Sequence, residues 1–169
     1  LRLRLAMTQA LSLRGPSTPP GTGKRLGHLF AQMGMYSEAS QSFRNVIAPD
    51  HVDDDVRALL RSAHEASEDR FVIDFCASLR SNGILDPLCV QIEASTLERY
   101  HAEHEAIRVL GELLDTGIDG ILAKQIRLHR SLIALRIDER DFMETDLGAL
   151  PGPDEAAPTP GRDSARGDR

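Results

Sequence analysis

Three stretches of the chain carry residue types at spacings that chemistry uses. Pro19-Pro20-Gly21-Thr22-Gly23-Lys24 holds the closing half of a GxxxxGK(S/T) phosphate loop, in which backbone N–H groups cradle phosphates and the lysine reaches their outer oxygens. The pattern breaks at both ends. Thr18 stands where the first glycine belongs, and Arg25 stands where a hydroxyl would ligate Mg²⁺. Phe71-Val72-Ile73-Asp74 has the make-up of the acidic strand that would hold that ion, but Phe75 follows where a catalytic Glu is usual, and no apolar strand leads into the loop. His101 and His104 are one helical turn apart, as a metal pair would be, without a third ligand at a telling spacing. Asp53-Asp54-Asp55 directly precedes a helical pattern, where one acid caps the helix and the others favour its dipole. No Ser-His-Asp, Cys-His or paired-carboxylate arrangement accompanies them. These residues predict a non-enzymatic protein with no cofactor and no metal.

The elements that must position any site read as helices. Leu26, Leu29, Phe30 and Met33 recur at three- and four-residue spacing, as do Ala39, Phe43, Val46 and Ile47. Gly34 is placed to end the first helix in a left-handed residue, Ser37 to cap the second with Gln41 four residues on, and Pro49 to stop it. Further runs cover 56–68, 71–79, 88–100, 104–114 and 121–137, with a weaker one over 141–150. Breakers fall at Asn82-Gly83, Asp86-Pro87 and Thr116–Gly120. Strand alternation is nearly absent, so the expected fold class is all-α.

The 169 residues suit one domain, and 41% hydrophobic with 27% charged residues allow a buried core. Aromatics at 4%, with no Trp, leave few stacking surfaces for single-stranded nucleic acid. No stretch approaches the roughly 18 apolar residues of a membrane span. Cys76 and Cys89 are too few for a disulfide framework and read as reduced thiols of a cytoplasmic protein. The net charge of −6 is unevenly spread: residues 1–25 carry +5 and no acid, 26–150 carry −10, and 151–169 carry −1. An acidic body repels phosphates, which disfavours nucleic acid and anionic membranes and favours basic or mixed-charge protein segments. Residues 1–21 read as a basic flexible leader with a Pro/Gly linker (a transit peptide is the alternative), 22–150 as the folded domain, and 151–169 as a disordered tail. The Arg-Gly-Asp at 166–168 of that tail reads as chance.

Residues 26–49, LGHLFAQMGMYSEASQSFRNVIAP, resemble a tetratricopeptide repeat, a 34-residue helix-turn-helix unit. Leu26-Gly27, Gly34, Tyr36, Ala39 and Phe43 match its pattern, and Phe30 stands for its first Tyr. Val46 replaces a small residue, Pro49 arrives two positions early, and Gly23 sits where a large residue belongs. Leu59, Ala63, Ala66, Phe75 and Leu79 take the corresponding places in a second unit; Val90, Ala94, Leu97, Ala106, Leu110 and Leu113 do so in a third. A fourth opens with 121–137, where Leu128, Leu132 and Leu135 share a face, and closes with 141–150 as a cap. The expected architecture is a short α-solenoid of three to four antiparallel helix pairs.

In the resembled family, the first helices of successive units line a concave groove that holds a peptide. The resemblance places Lys24, His28 and Gln32 of unit one there, Arg61, His64 and Glu68 of unit two, and Gln91, Ser95, Glu98 and Arg99 of unit three. Members that clamp the acidic tail of chaperones share only Lys24 with this chain; His28, Arg61, Leu88 and Ile92 occupy the other places. The implied function is a protein-interaction scaffold with a protein or peptide partner and, through the terminal helix 121–137, a homodimer. The alternative is a repeat segment of a larger enzyme or regulator, such as a glycosyltransferase or defence-system protein. An AAA-type ATPase fragment is the remote one.

Overall fold

The computed structural model describes residues 20–137 and Asp146. The leader, the tail and most of the expected cap at 141–150 lie outside the described residues. Within them run α1 (Pro20–Gln32), α2 (Tyr36–Arg44), α3 (Asp54–Glu65), α4 (Asp69–Ser81), α5 (Pro87–Arg99), α6 (Glu103–Asp115) and α7 (Gly120–Arg136), with no strand among them. Each helix packs against the next, and α1 packs also on α3 and α3 on α5. The result is an all-α stack of antiparallel helix pairs. Its odd helices begin at residues 20, 54, 87 and 120, in steps of 34, 33 and 33.

The turns inside the pairs repeat as closely as the helices. Met35 N–H donates to Phe30 C=O, Glu68 to Ala63 and Ala102 to Leu97, each at 2.9 Å. This six-to-one bond closes a helix when the residue before the donor is left-handed. That residue is Gly34 (φ 71°), Ser67 (φ 59°) and His101 (φ 58°). Only the first could be read from the sequence, because Ser and His adopt this conformation at a steric cost. The caps on the odd helices also recur: Asp53 accepts from Val56 N–H at 2.9 Å, and Asp86 from Leu88 and Cys89 N–H at 3.1 Å. Ser37 does not cap α2. The cap position is Met35, two residues earlier, and it makes no side-chain capping bond.

Packing within the first pair turns on one contact. Gly27 and Phe43 are both buried, and a Cβ on Gly27 would meet the Phe43 ring at 2.6 Å. One repeat further on, the corresponding places hold Leu60 and Cys76, both buried. Large and small have changed helices. Cys76, not Phe75, is therefore the counterpart of Phe43. In the third unit the places hold Ala94 and Leu110. One apolar cluster spans α1 to α5 and a second α5 to α7, so α5 is buried from two sides, with Cys89 and Ile92 in the first cluster and Val90, Ala94 and Leu97 in the second. Both thiols are pushed up by burial, Cys89 to about 12.

A carboxylate lies between the helices of the stack. Glu93 occupies the place of Leu26 and Leu59, is fully buried, and accepts from Arg80 Nη2 of α4 at 2.8 Å. Its Oε2 and the Arg80 Nε have no partner among the described residues. Burial pushes the carboxyl up to about 7 against the pull of Arg80. Arg80 also donates to Glu112 of α6 at 3.2 Å, so the buried pair ties three helices together.

Three outcomes are expected. Gly27→Leu and Phe43→Cys each destabilise by about 1–4 kcal/mol, one by overpacking and one by leaving a cavity. The double variant recreates the Leu60/Cys76 combination and costs less than the sum, a coupling of at least about 1 kcal/mol in a urea-unfolding cycle. Ser67→Gly and His101→Gly relieve a left-handed residue and raise stability by roughly 0.5–1 kcal/mol each, which thermal melts would register. For Glu93 the folded value near 7 exceeds the unfolded 4.5, so the folded state binds the extra proton between them and stability falls as pH rises through that window. Glu93→Gln removes this slope. Its stability relative to the parent should grow by up to about 3 kcal/mol between pH 4 and 8, measured by denaturant unfolding at both ends.

Candidate functional site

The odd helices share one face of the stack, and the side chains expected to line a groove begin from it. Lys24, His28 and Gln32 stand on α1, Arg61 and His64 on α3, and Gln91, Ser95, Glu98 and Arg99 on α5. Glu68 stands apart, in the turn before α4. Its Oε2 accepts from Ser40 Oγ at 2.6 Å and pairs with Arg44, both on α2, and the Arg44 guanidinium lies 3.5 Å above the Phe71 ring. Glu68 therefore joins α2 to α4 rather than facing the groove.

Five of the remaining nine tie one odd helix to another. Lys24 Nζ lies 2.6 Å from Asp55 Oδ2, and His28 Nε2 lies 2.7 Å from Asp55 Oδ1. The hydrogen bond to Asp55 raises the Lys24 ammonium; burial would raise the Asp55 carboxyl, but Lys24 and His28 outweigh it and lower it. The His28 ring also stands edge-on to Phe43 at 5.1 Å. Between α3 and α5, His64 Nδ1 lies 2.8 Å from Thr96 Oγ1, whose own hydroxyl donates to Ile92 C=O at 2.7 Å. Arg99 Nη2 lies 3.3 Å from the same ring nitrogen, so Nδ1 sits between the hydroxyl and the guanidinium. Burial, and secondly Arg99, hold His64 below its ordinary value and keep it neutral. Arg99 donates to His64 C=O at 2.8 Å and to Asp69 at 2.9 Å. Glu98 accepts from His129 Nε2 at 2.5 Å and pairs with Arg136, both on α7.

Gln32, Arg61, Gln91 and Ser95 have no such bond among the described residues. Arg61 lines a cleft of about 660 Å³ together with His28, Asp54, Arg57, Asp86 and Leu88. Ala58 and Pro87 complete its apolar part. Arg57 is held there by Asp86 (Nη2–Oδ2 2.7 Å) and Asp54 (Nη1–Oδ1 3.0 Å), which raise its guanidinium. Burial opposes ionisation of Asp86, but Arg57 and the Cys89 N–H outweigh it and lower the carboxyl. Chemically the cleft offers a cation without a partner among the described residues, beside an apolar floor, with the exposed Asp54 at its rim. Sequence reasoning missed Arg57, Asp54 and Asp86. The recurrence of an aspartate at the caps of α3, α5 and α7 (Asp53, Asp86 and Asp119) is the signal that would have marked where these helices begin.

The residues with other chemical readings fall into helices and turns. Gly21 to Lys24 lie in α1, and Phe71 to Asp74 lie in α4 rather than in a strand. His101 is in the turn before α6, and no group of three or more metal-ligating side chains forms among the described residues. No helix there is long and apolar enough to cross a membrane. Comparisons with family models, with curated proteins and with solved structures gave no match.

Proposed function

We propose that the chain is a tetratricopeptide-type scaffold that binds a protein segment along its odd-helix face. The 33- to 34-residue step of the odd helices and the three equivalent turns support the repeat type. The single observation that carries the binding reading is Arg61, a cation without a partner among the described residues, lining a cleft with an apolar floor of Ala58, Pro87 and Leu88. The chemistry of this cleft fits an extended, mixed-charge segment. An acidic side chain of the segment meets Arg61, an aliphatic one covers Leu88, and a basic one meets Asp54 at the rim. Bonding to Arg61 is charge-assisted, and the neighbouring apolar surface shields it from water.

Capped peptides combining one Glu, two Leu and one Lys, tested by fluorescence anisotropy on the full chain, probe this directly. The mixed-charge peptide should bind, and exchange of its Glu for Gln should weaken it by about tenfold, as should Arg61→Glu in the protein. Arg61 is exposed and makes no bond among the described residues, so the variant should melt with the parent. Binding that ignored both changes would place the partner elsewhere on the molecule.

A further inference from the structure

The last helix presents a stripe that no described residue covers. Ile121, Leu128, Leu132 and Leu135 of α7 are 76%, 49%, 53% and 60% exposed. At about 100° per residue they fall on one narrow face of the helix. The other flanks are occupied. Ile126, Ile133 and Ala134 are buried in the second cluster. Arg130, about 200° around the helix from Leu128, donates from Nε to Asp146 at 2.6 Å. Where the chain beyond α7 is described, at Asp146, it therefore lies away from the stripe.

We infer that this stripe pairs antiparallel with the same stripe of a second copy of the chain. The argument is its symmetry. Ile121 and Leu135 stand seven residues on either side of Leu128. About a two-fold axis at Leu128, that residue meets its own copy and Ile121 meets the partner's Leu135. A closed two-fold interface requires such self-complementarity, and a seven-residue apolar repeat is the seam along which paired helices pack.

The charges select the direction. α7 contains no Asp or Glu. A parallel pair would set Lys124 against its own copy and align the two helix dipoles. The antiparallel pair sets each helix start beside the other's end, so the dipoles oppose. It also lays the methylene stem of Lys124 over the partner's Leu132 with the ammonium facing water. The stripe amounts to roughly 400 Å² of apolar surface per copy, below the standard size of a stable interface, so the dimer forms in a concentration-dependent way. This seam is on α7 and does not depend on the cleft around Arg61.

Sedimentation velocity on the full chain, from about 5 to 500 µM, tests the pairing. The mass should rise from 18.6 kDa towards twice that value. Leu128→Glu puts like charges on the axis and should raise the dissociation constant at least about tenfold, with helicity and Tm unchanged because the side chain is exposed. Under mild oxidation, an equimolar mixture of Ile121→Cys and Leu135→Cys should cross-link faster than either variant alone; the native thiols, Cys76 and Cys89, are buried. A monomer across the whole range, a dimer indifferent to Leu128→Glu, or faster cross-linking by Ile121→Cys alone would each overturn the inference.

Discussion

The distance between α1 and α2 is set by a phenyl ring resting on bare backbone. Phe43 lies so close to Gly27 that even one methyl group there would stand 2.6 Å from it. Two helices held that near leave no room for a further layer of side chains between them. The rest of their apolar surface, including Phe30, Ala39 and the outer side of Phe43, must then be covered by α3. The same demand passes to each following pair. Stability is consequently shared between neighbours and has no single centre, as the two clusters that meet across α5 show.

How much of this was legible depended on whether a place was filled by its usual residue. The first pair could be read because Gly27, Gly34, Ala39 and Phe43 each have a steric duty that few other residues perform. The helices themselves were legible throughout from their apolar spacing and from breakers such as Asp86-Pro87. The second unit was obscured by a compensated exchange. Leu60 fills from α3 the volume that Phe43 fills from α2, and a pattern that scores places one at a time cannot register a trade between two of them. The turns at Ser67 and His101 were hidden for a related reason: the surrounding helices impose a left-handed residue that neither side chain favours. Glu93 could not be foreseen as buried, since a carboxylate at a Leu place reads as an error in alignment until Arg80 is seen beside it.

The polar side chains expected along the odd-helix face do stand on odd helices, Glu68 excepted, but most of them are engaged within the stack. They share one register, so a sequence pattern gives them one role. Geometry separates them. A one-dimensional stack resists splaying only through contacts between successive units, and apolar packing supplies those mainly on the side of the even helices. On the open side the polar residues do it: Lys24 and His28 reach Asp55, His64 reaches Thr96, Arg99 reaches back to Asp69, and Glu98 reaches His129.

On the proposed reading these bonds also define where a partner would be held. A side chain already bonded between two helices must break that bond to serve a ligand, and the loss cancels most of the gain. A side chain with no internal partner pays no such cost. Among the described residues Arg61 is of the second kind, and its neighbours Arg57 and Asp86 are fixed by each other, which gives the cleft rigid walls around that charge. Pre-ordered walls reduce the entropy lost when a segment docks. On the proposed reading, the polar bonds that hold the stack together thus leave Arg61, among the described residues, a charge on this face that binding would not have to release from them.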